Sequence, residues 1–432
     1  MSKKTATLLI VLLILLIAGG FVGFYLFLNK GAVPEAEPTP SPSGPSDFFP
    51  FPDNPDSPSP TPPSGTTPSP TGPAATPPPF NQSSNLIKLS NEPVAGATFV
   101  ERENGSRIRY IERKVLPRIY EANLSPLQQT RLANTDIRKV LYEALWTERG
   151  VGVVLRYLKD DLQTIESFYG KLVSMDGTAT SSLLGASNVA ASDSMELTAT
   201  FLPQNTVAVA TSPKQDRIFY LSENNGGVIG VVSTPDGAKK STVFDSPVSE
   251  WLVAWPKEDT ISLQSKASSE VKGYFYALNL KNNISQTILA GVNGLTALMD
   301  PTGEYVLYAG SSGQSAVTSV YTVKTGQTAT LDTKTLPEKC VWSVRSVRTV
   351  FCGVPKTFEA GIYPDSWYQG KISFDDKILK IDLATGASEL VADLSTIARE
   401  PLDAIELQLN ATENKLLFKN KRDRTAWVLM LE

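Results

Sequence analysis

From Leu8 to Leu28 the chain is apolar at almost every position, with no charge between Lys4 and Lys30. A run of about 20 such residues matches the hydrocarbon core of a bilayer, so residues 8–28 read as a transmembrane helix. Lys3 and Lys4 in front of it leave residues 1–7 in the cytoplasm, and Lys30 behind it weakens that bias without reversing it. A cleaved signal peptide has a shorter apolar centre and a small-residue cleavage site. Here the bulky stretch Phe21–Leu28 follows the one small cluster, Ala18-Gly19-Gly20, which favours an uncleaved anchor.

From Asn85 onward the pattern changes to short alternating runs: Arg107–Glu112, Val151–Tyr157, Arg217–Leu221, Tyr305–Tyr308 and Lys415–Lys419. Bounded by Gly, Pro, Asn and Asp, such runs predict strands, and no long helical period interrupts them. A repeat orders them. Ser212-Pro213-Lys214-Gln215-Asp216 aligns with Trp255-Pro256-Lys257-Glu258-Asp259 and with Asp300-Pro301-Thr302-Gly303-Glu304, each followed by an apolar run. Pro213, Pro256 and Pro301 stand 43 and then 45 residues apart, and Asn410–Phe418 is a weaker copy with Ala411 in the proline's place. Each proline-led corner predicts a tight turn from an innermost strand to the next one out, and a period of roughly 40–45 residues is that of propeller blades. Thr325-Gly326 and Thr385-Gly386 predict a second hairpin, the outer pair of a four-stranded blade, with Gly supplying the positive φ.

The count is seven blades, at 94–134, 135–176, 203–247, 248–291, 292–337, 338–394 and 402–432; six or eight stay compatible because the second lacks the corner motif. The last blade is one strand short, and Asn85–Asn91 is a spare strand able to close the ring. Residues 174–200, rich in Ser, Ala and Thr, read as a loop, and Lys356–Lys377 as a long aromatic insertion covering part of one face. The fold class is all-β, a propeller occupying 85–432.

Between anchor and propeller, residues 29–84 form a disordered spacer. Pro34–Pro79 carries 18 of the 31 prolines, and no Lys or Arg falls between Gly31 and Ile87. Such a segment cannot bury enough apolar surface to fold, and its prolines bias it to an extended spacer of about 3.1 Å per residue. Phe48-Phe49-Pro50-Phe51-Pro52 interrupts it and reads as an aromatic accident rather than a docking motif.

Charge and composition narrow the chemistry. A net charge of −4 with no concentrated basic run argues against nucleic acid as a partner. The absence of histidine excludes Ser-His-Asp and Cys-His catalysis and removes the usual zinc and copper ligand, so no cofactor or metal is expected. Cys340 and Cys352 fall on two short strands about a turn near Ser346, opposite each other at bridging distance, and an extracytoplasmic site permits their disulfide. Two buried thiols are the alternative.

On these corners the chain resembles the TolB-like, WD40-like (PD40-type) propellers of bacterial envelopes, whose repeat reads roughly Ser-Pro-Asp-Gly-Lys before an apolar strand. The resemblance rests on Ser212-Pro213 and on Asp300–Glu304, and it implies fold far more than function. Propellers of prolyl-oligopeptidase-type enzymes are also similar, but this chain has no Gly-x-Ser-x-Gly turn for their hydrolase domain. It departs from soluble periplasmic members in its anchor and spacer.

Candidate ligand-binding residues form two groups. Asp365, Trp367, Tyr368, Asp375 and Asp376 combine aromatic stacking surface with carboxylates, though aromatics pinning a loop and solvated acids explain them equally well. Arg345 and Arg348 with Trp342 offer a cation–aromatic surface, with packing of Trp342 between blades as the alternative. Trp251 and Trp255 read as core. Together these features predict a membrane-tethered, extracytoplasmic propeller that binds an envelope protein or cell-wall glycan. The alternative is a carboxylate-based glycosidase or lyase on the same scaffold. Asp375 and Asp376 count against that, because neighbours on a strand face opposite ways.

Overall fold

The computed structural model describes residues 85–175 and 195–431. The expected transmembrane helix and spacer lie outside the described residues, among which no helix is long and apolar enough to cross a membrane. Seven four-stranded antiparallel sheets make a β-propeller. Each is a meander that starts at the axis and ends outside; blade five runs Thr296–Met299, Tyr305–Ser312, Ser315–Thr322 and Gln327–Thr330. Links as short as residues 294–295 join one blade's outermost strand to the next innermost strand. All seven innermost strands therefore start at one rim, here the upper, and end at the lower. The upper rim carries the links between blades and the turns from second to third strands. The lower rim carries the first-to-second corners.

Apolar strands such as Gly152–Leu158 are buried along almost their whole length, because each sheet is covered on both faces by its neighbours. Among the described residues the hydrophobic core is accordingly divided into seven seam clusters, one between each pair of adjacent blades. An eighth cluster lies beneath the blade-six insertion. Close approach at the seam of blades one and two requires Gly96, where a Cβ would stand 1.8 Å from the Ala144 carbonyl oxygen.

The corners share one hydrogen-bond pattern. The backbone N–H of Ser212, Asp300 and Asn410 donates to the carbonyl five residues on, at Arg217, Tyr305 and Lys415. Their side-chain oxygens accept the returning N–H of the same three residues at 3.1, 2.8 and 2.8 Å. Gln215, Gly303 and Glu413 take positive φ at the fourth corner position. The Ser, Asp or Asn that opens the corner thus holds it, which explains why Ala411 replaces proline without loss. In the Trp255–Asp259 copy Pro256 lies inside the strand Trp251–Lys257, at a bulge, and Glu258-Asp259 make the turn.

The N-terminal strand Leu86–Lys88 pairs antiparallel with Ala426–Met430 and becomes the outermost strand of blade seven, closing the ring from both ends. The expectation for blade two needs correction. Its fourth strand is Met195–Phe201, all but the last residue of it within the stretch read as loop, paired with Ile165–Ser174. An outermost strand is covered on little of its surface, so its alternation is faint beside the Ser/Ala-rich residues that precede it.

Candidate functional site

A cavity of about 740 Å³ follows the axis, from Arg113 and Arg424 at the upper rim to Ser212 and Gln215 at the lower. Glu143 and Glu406 are the acids of its wall. Glu143 pairs with Arg156 at 2.6 Å, and Arg156 also donates to the Thr206 and Val207 carbonyls across the seam. Glu406 pairs with Lys419 at 2.6 Å. Burial brings the Lys419 ammonium below the ordinary lysine range, against the pull of Glu406. Glu406 has φ 52° where the innermost strand of blade seven bulges between Ile405 and Gln408. A non-glycine residue there costs about 1–3 kcal/mol, strain that clusters at functional positions. Tyr142 lies beneath the Arg113 guanidinium, 5.7 Å from ring centre to charge. Each wall carboxylate already has its own cation, which weighs against a free acid pair for glycosidic cleavage. A second cavity, about 890 Å³, lies between the outer parts of blades one and two. Its wall includes Met175 and Met195, which flank residues outside the described set, and it is not read as a site.

The sequence candidates fall on opposite rims. Asp365, Trp367, Tyr368, Asp375 and Asp376 are at the upper rim, on or just after the insertion whose single helical turn is Asp365–Tyr368. Trp367 has no exposed surface and Tyr368 almost none; with Tyr363 and Phe374 they pack the insertion onto the ring. Neither ring therefore offers a face for stacking a sugar. Asp365 accepts the Ser269 N–H of blade four at 2.7 Å, and Asp375 accepts from Ser395 at 2.9 Å. Asp375 and Asp376 do face opposite ways, the first half-exposed and the second fully buried.

Asp376 belongs to a cluster the sequence did not reveal. Lys339, on the 3-10 turn Pro337–Lys339, and Asp403, just before the innermost strand of blade seven, are as buried as Asp376. The Lys339 ammonium donates to Asp376 Oδ2 at 2.7 Å, to Asp403 Oδ1 and to the Ala404 carbonyl. Asp403 Oδ2 accepts Trp367 Nε1 at 2.9 Å and the Phe374 N–H at 3.0 Å. Burial, aided by the Asp403 charge and opposed by Lys339, pushes the Asp376 carboxyl up to about 7. Burial opposes the Asp403 charge as well, but Lys339 and the two N–H donors hold it below the usual carboxylate range. Only Asp403 stands as a lone charge in an apolar run, while Lys339 and Asp376 sit among other charges, and neither pattern says that the three meet.

Trp342, Arg345 and Arg348 are at or next to the lower-rim corner of blade six. Trp342 is buried and donates to the Leu298 carbonyl of blade five at 3.2 Å. Arg345 donates to the Thr412 carbonyl of blade seven, and Arg348 stacks on Tyr305 at 4.9 Å while donating to its hydroxyl. Both arginines tie neighbouring corners together. Cys340 and Cys352 lie opposite each other in the paired strands and form a disulfide.

No family model matches the chain, and no curated protein matches it. Solved structures do. TolB from Acinetobacter baumannii is 11% identical over 76% of this chain and 64% of its own, with a TM-score of 0.40. An oligogalacturonate lyase in complex with manganese is 9% identical over 82% and 96%, with a TM-score of 0.52. The β-propeller domain of the Trilobed protease from Pyrococcus furiosus is 9% identical over 79% and 97%, with a TM-score of 0.46. At these identities the likeness is one of fold.

Proposed function

We propose that this chain is a membrane-tethered propeller displayed outside the cytoplasm, where it binds an envelope protein or cell-wall glycan at its axial cavity. The carrying observation is the cavity itself: concave, edged by Tyr142 and Gln408, with strained Glu406 on its wall and its acids already neutralised by cations. Such a surface suits recognition and has no free acid–base pair. The Cys340–Cys352 bridge fits an oxidising compartment, and the apolar run at 8–28 fits a tether.

The test is capture of partners from envelope extract and on a glycan array by the detergent-solubilised chain. Tyr142→Ala and Glu406→Ala are expected to lower capture at least tenfold with the fold intact. Capture unchanged by both variants removes the cavity from the reading. Cleavage of a captured glycan would replace binding by carboxylate catalysis.

A further inference from the structure

We propose that Lys339 and Asp376 condense into an intramolecular isopeptide bond, with Asp403 as the base. The amine touches the carboxyl at 2.7 Å in a site where all three side chains have no exposed surface. The Trp367 and Phe374 rings stand 5.4 and 5.3 Å from the Lys339 nitrogen and keep water out. Holding two reactants in place this way is worth an effective concentration of about 10⁵ M or more.

The two carboxylates are not equivalent. Asp403 is saturated with donors, which stabilises its anion and makes it a poor electrophile. Asp376 has the opposite character. Its Oδ2 accepts the Ala404 N–H at 2.6 Å, which polarises the carbonyl as an oxyanion donor would, and its buried Oδ1 has no hydrogen-bond partner among the described residues. Oδ1 is where the proton of a neutral acid sits and where the leaving group departs. Burial raises the Asp376 carboxyl toward that neutral acid. Against burial, the two carboxylates hold the Lys339 ammonium above the ordinary lysine range, so its proton transfer to Asp403 is the uphill part of the step.

In the step, the Lys339 ammonium gives a proton to Asp403, while a second N–H stays on the Ala404 carbonyl and orients the amine. The nitrogen lone pair attacks Cγ of the protonated Asp376. The Cγ–Oδ1 bond breaks, and Oδ1 leaves as water with its own proton and one from nitrogen. An amide, one water and a protonated Asp403 result; charge and atoms balance, and no co-reactant is needed. The bond ties the approach to the innermost strand of blade six to its third strand, while the adjacent disulfide ties the innermost to the second.

Mass spectrometry of the reduced full-length chain and its tryptic peptides tests this. The wild type should be lighter than its sequence by one water. Trypsin should fail to cut after Lys339, giving a branched peptide that joins residues 335–345 to 372–377. Asp376→Ala and Asp403→Asn should both restore linear peptides. Cleavage after Lys339 in the wild type, with both peptides at sequence mass, overturns the proposal whether or not the variants fold. A lost water confined to a linear 372–377 peptide would be a cyclised aspartate and would overturn it too. A branched peptide persisting in Asp403→Asn would remove Asp403 as the base.

Discussion

The two rims of the propeller are built by different physics. At the lower rim, corner after corner is held by a side chain that bonds its own backbone five residues on, as in Ser212, Asp300 and Asn410. Those contacts are local and repeat in sequence. At the upper rim, the blade-six insertion is held by partners from far along the chain: Asp365 by Ser269, Trp367 by Asp403, Lys339 by both Asp376 and Asp403. The corner bonds are replaceable one at a time, although contacts such as those from Ser343 and Arg345 to Glu413 and Thr412 also tie neighbouring corners together. A buried charge cluster is not, because each member leaves the others unpaired when it goes.

Asp403→Ala should therefore show the largest loss. It leaves Lys339 with one carboxylate and removes the acceptor for Trp367 Nε1 and the Phe374 N–H, an expected cost of about 3–5 kcal/mol in urea denaturation. A loss below about 1 kcal/mol would erase the contrast between the rims. Replacing Cys340 and Cys352 together by Ala should cost about 3 kcal/mol, the model value for so short a loop. An equal midpoint for the variant and the reduced wild type, both below the oxidised wild type, is the check.

The same contrast explains what could be read in advance. Seven blades, their corners and the Gly326 and Gly386 hairpins were legible because each is set by neighbours in sequence, and the closing strand because the last blade was one strand short. Even there the emphasis shifts: the residue before proline is the one that holds the corner. Met195–Phe201 stayed hidden because an outermost strand buries little. At the upper rim the aromatic insertion was visible and its partners were not. Nothing in Leu402-Asp403-Ala404 announces Lys339, and the two meet only because a seam brings blades six and seven together. For Trp367 and Tyr368 composition left stacking on a ligand and pinning of the loop both open, and their burial in the cluster beneath the insertion fits the pinning.

At the lower rim Asp300→Ala should cost less, about 1–3 kcal/mol, since it deletes the local bonds from the Tyr305 and Thr302 N–H groups and leaves the buried Tyr305 N–H without its side-chain acceptor. Thermal unfolding resolves that; a loss comparable with that of Asp403→Ala would mean that lower corners are not independent.

The smallest effect is the most discriminating of the upper rim's charge balance. The Lys421 ammonium stands 5.1 Å over the Trp367 ring. Burial, then repulsion from Lys339, Arg424 and Arg422, brings its pKa down to about 8 against the pull of Asp403. An unfolded lysine titrates at about 10.4. Between those values the unfolded chain keeps a proton the folded chain has released, so this group's contribution to stability rises with pH across the window and is least favourable below it. Urea midpoints at the two ends of the window should accordingly climb more in the wild type than in Lys421→Met. Parallel responses would remove Lys421 from the crowded set.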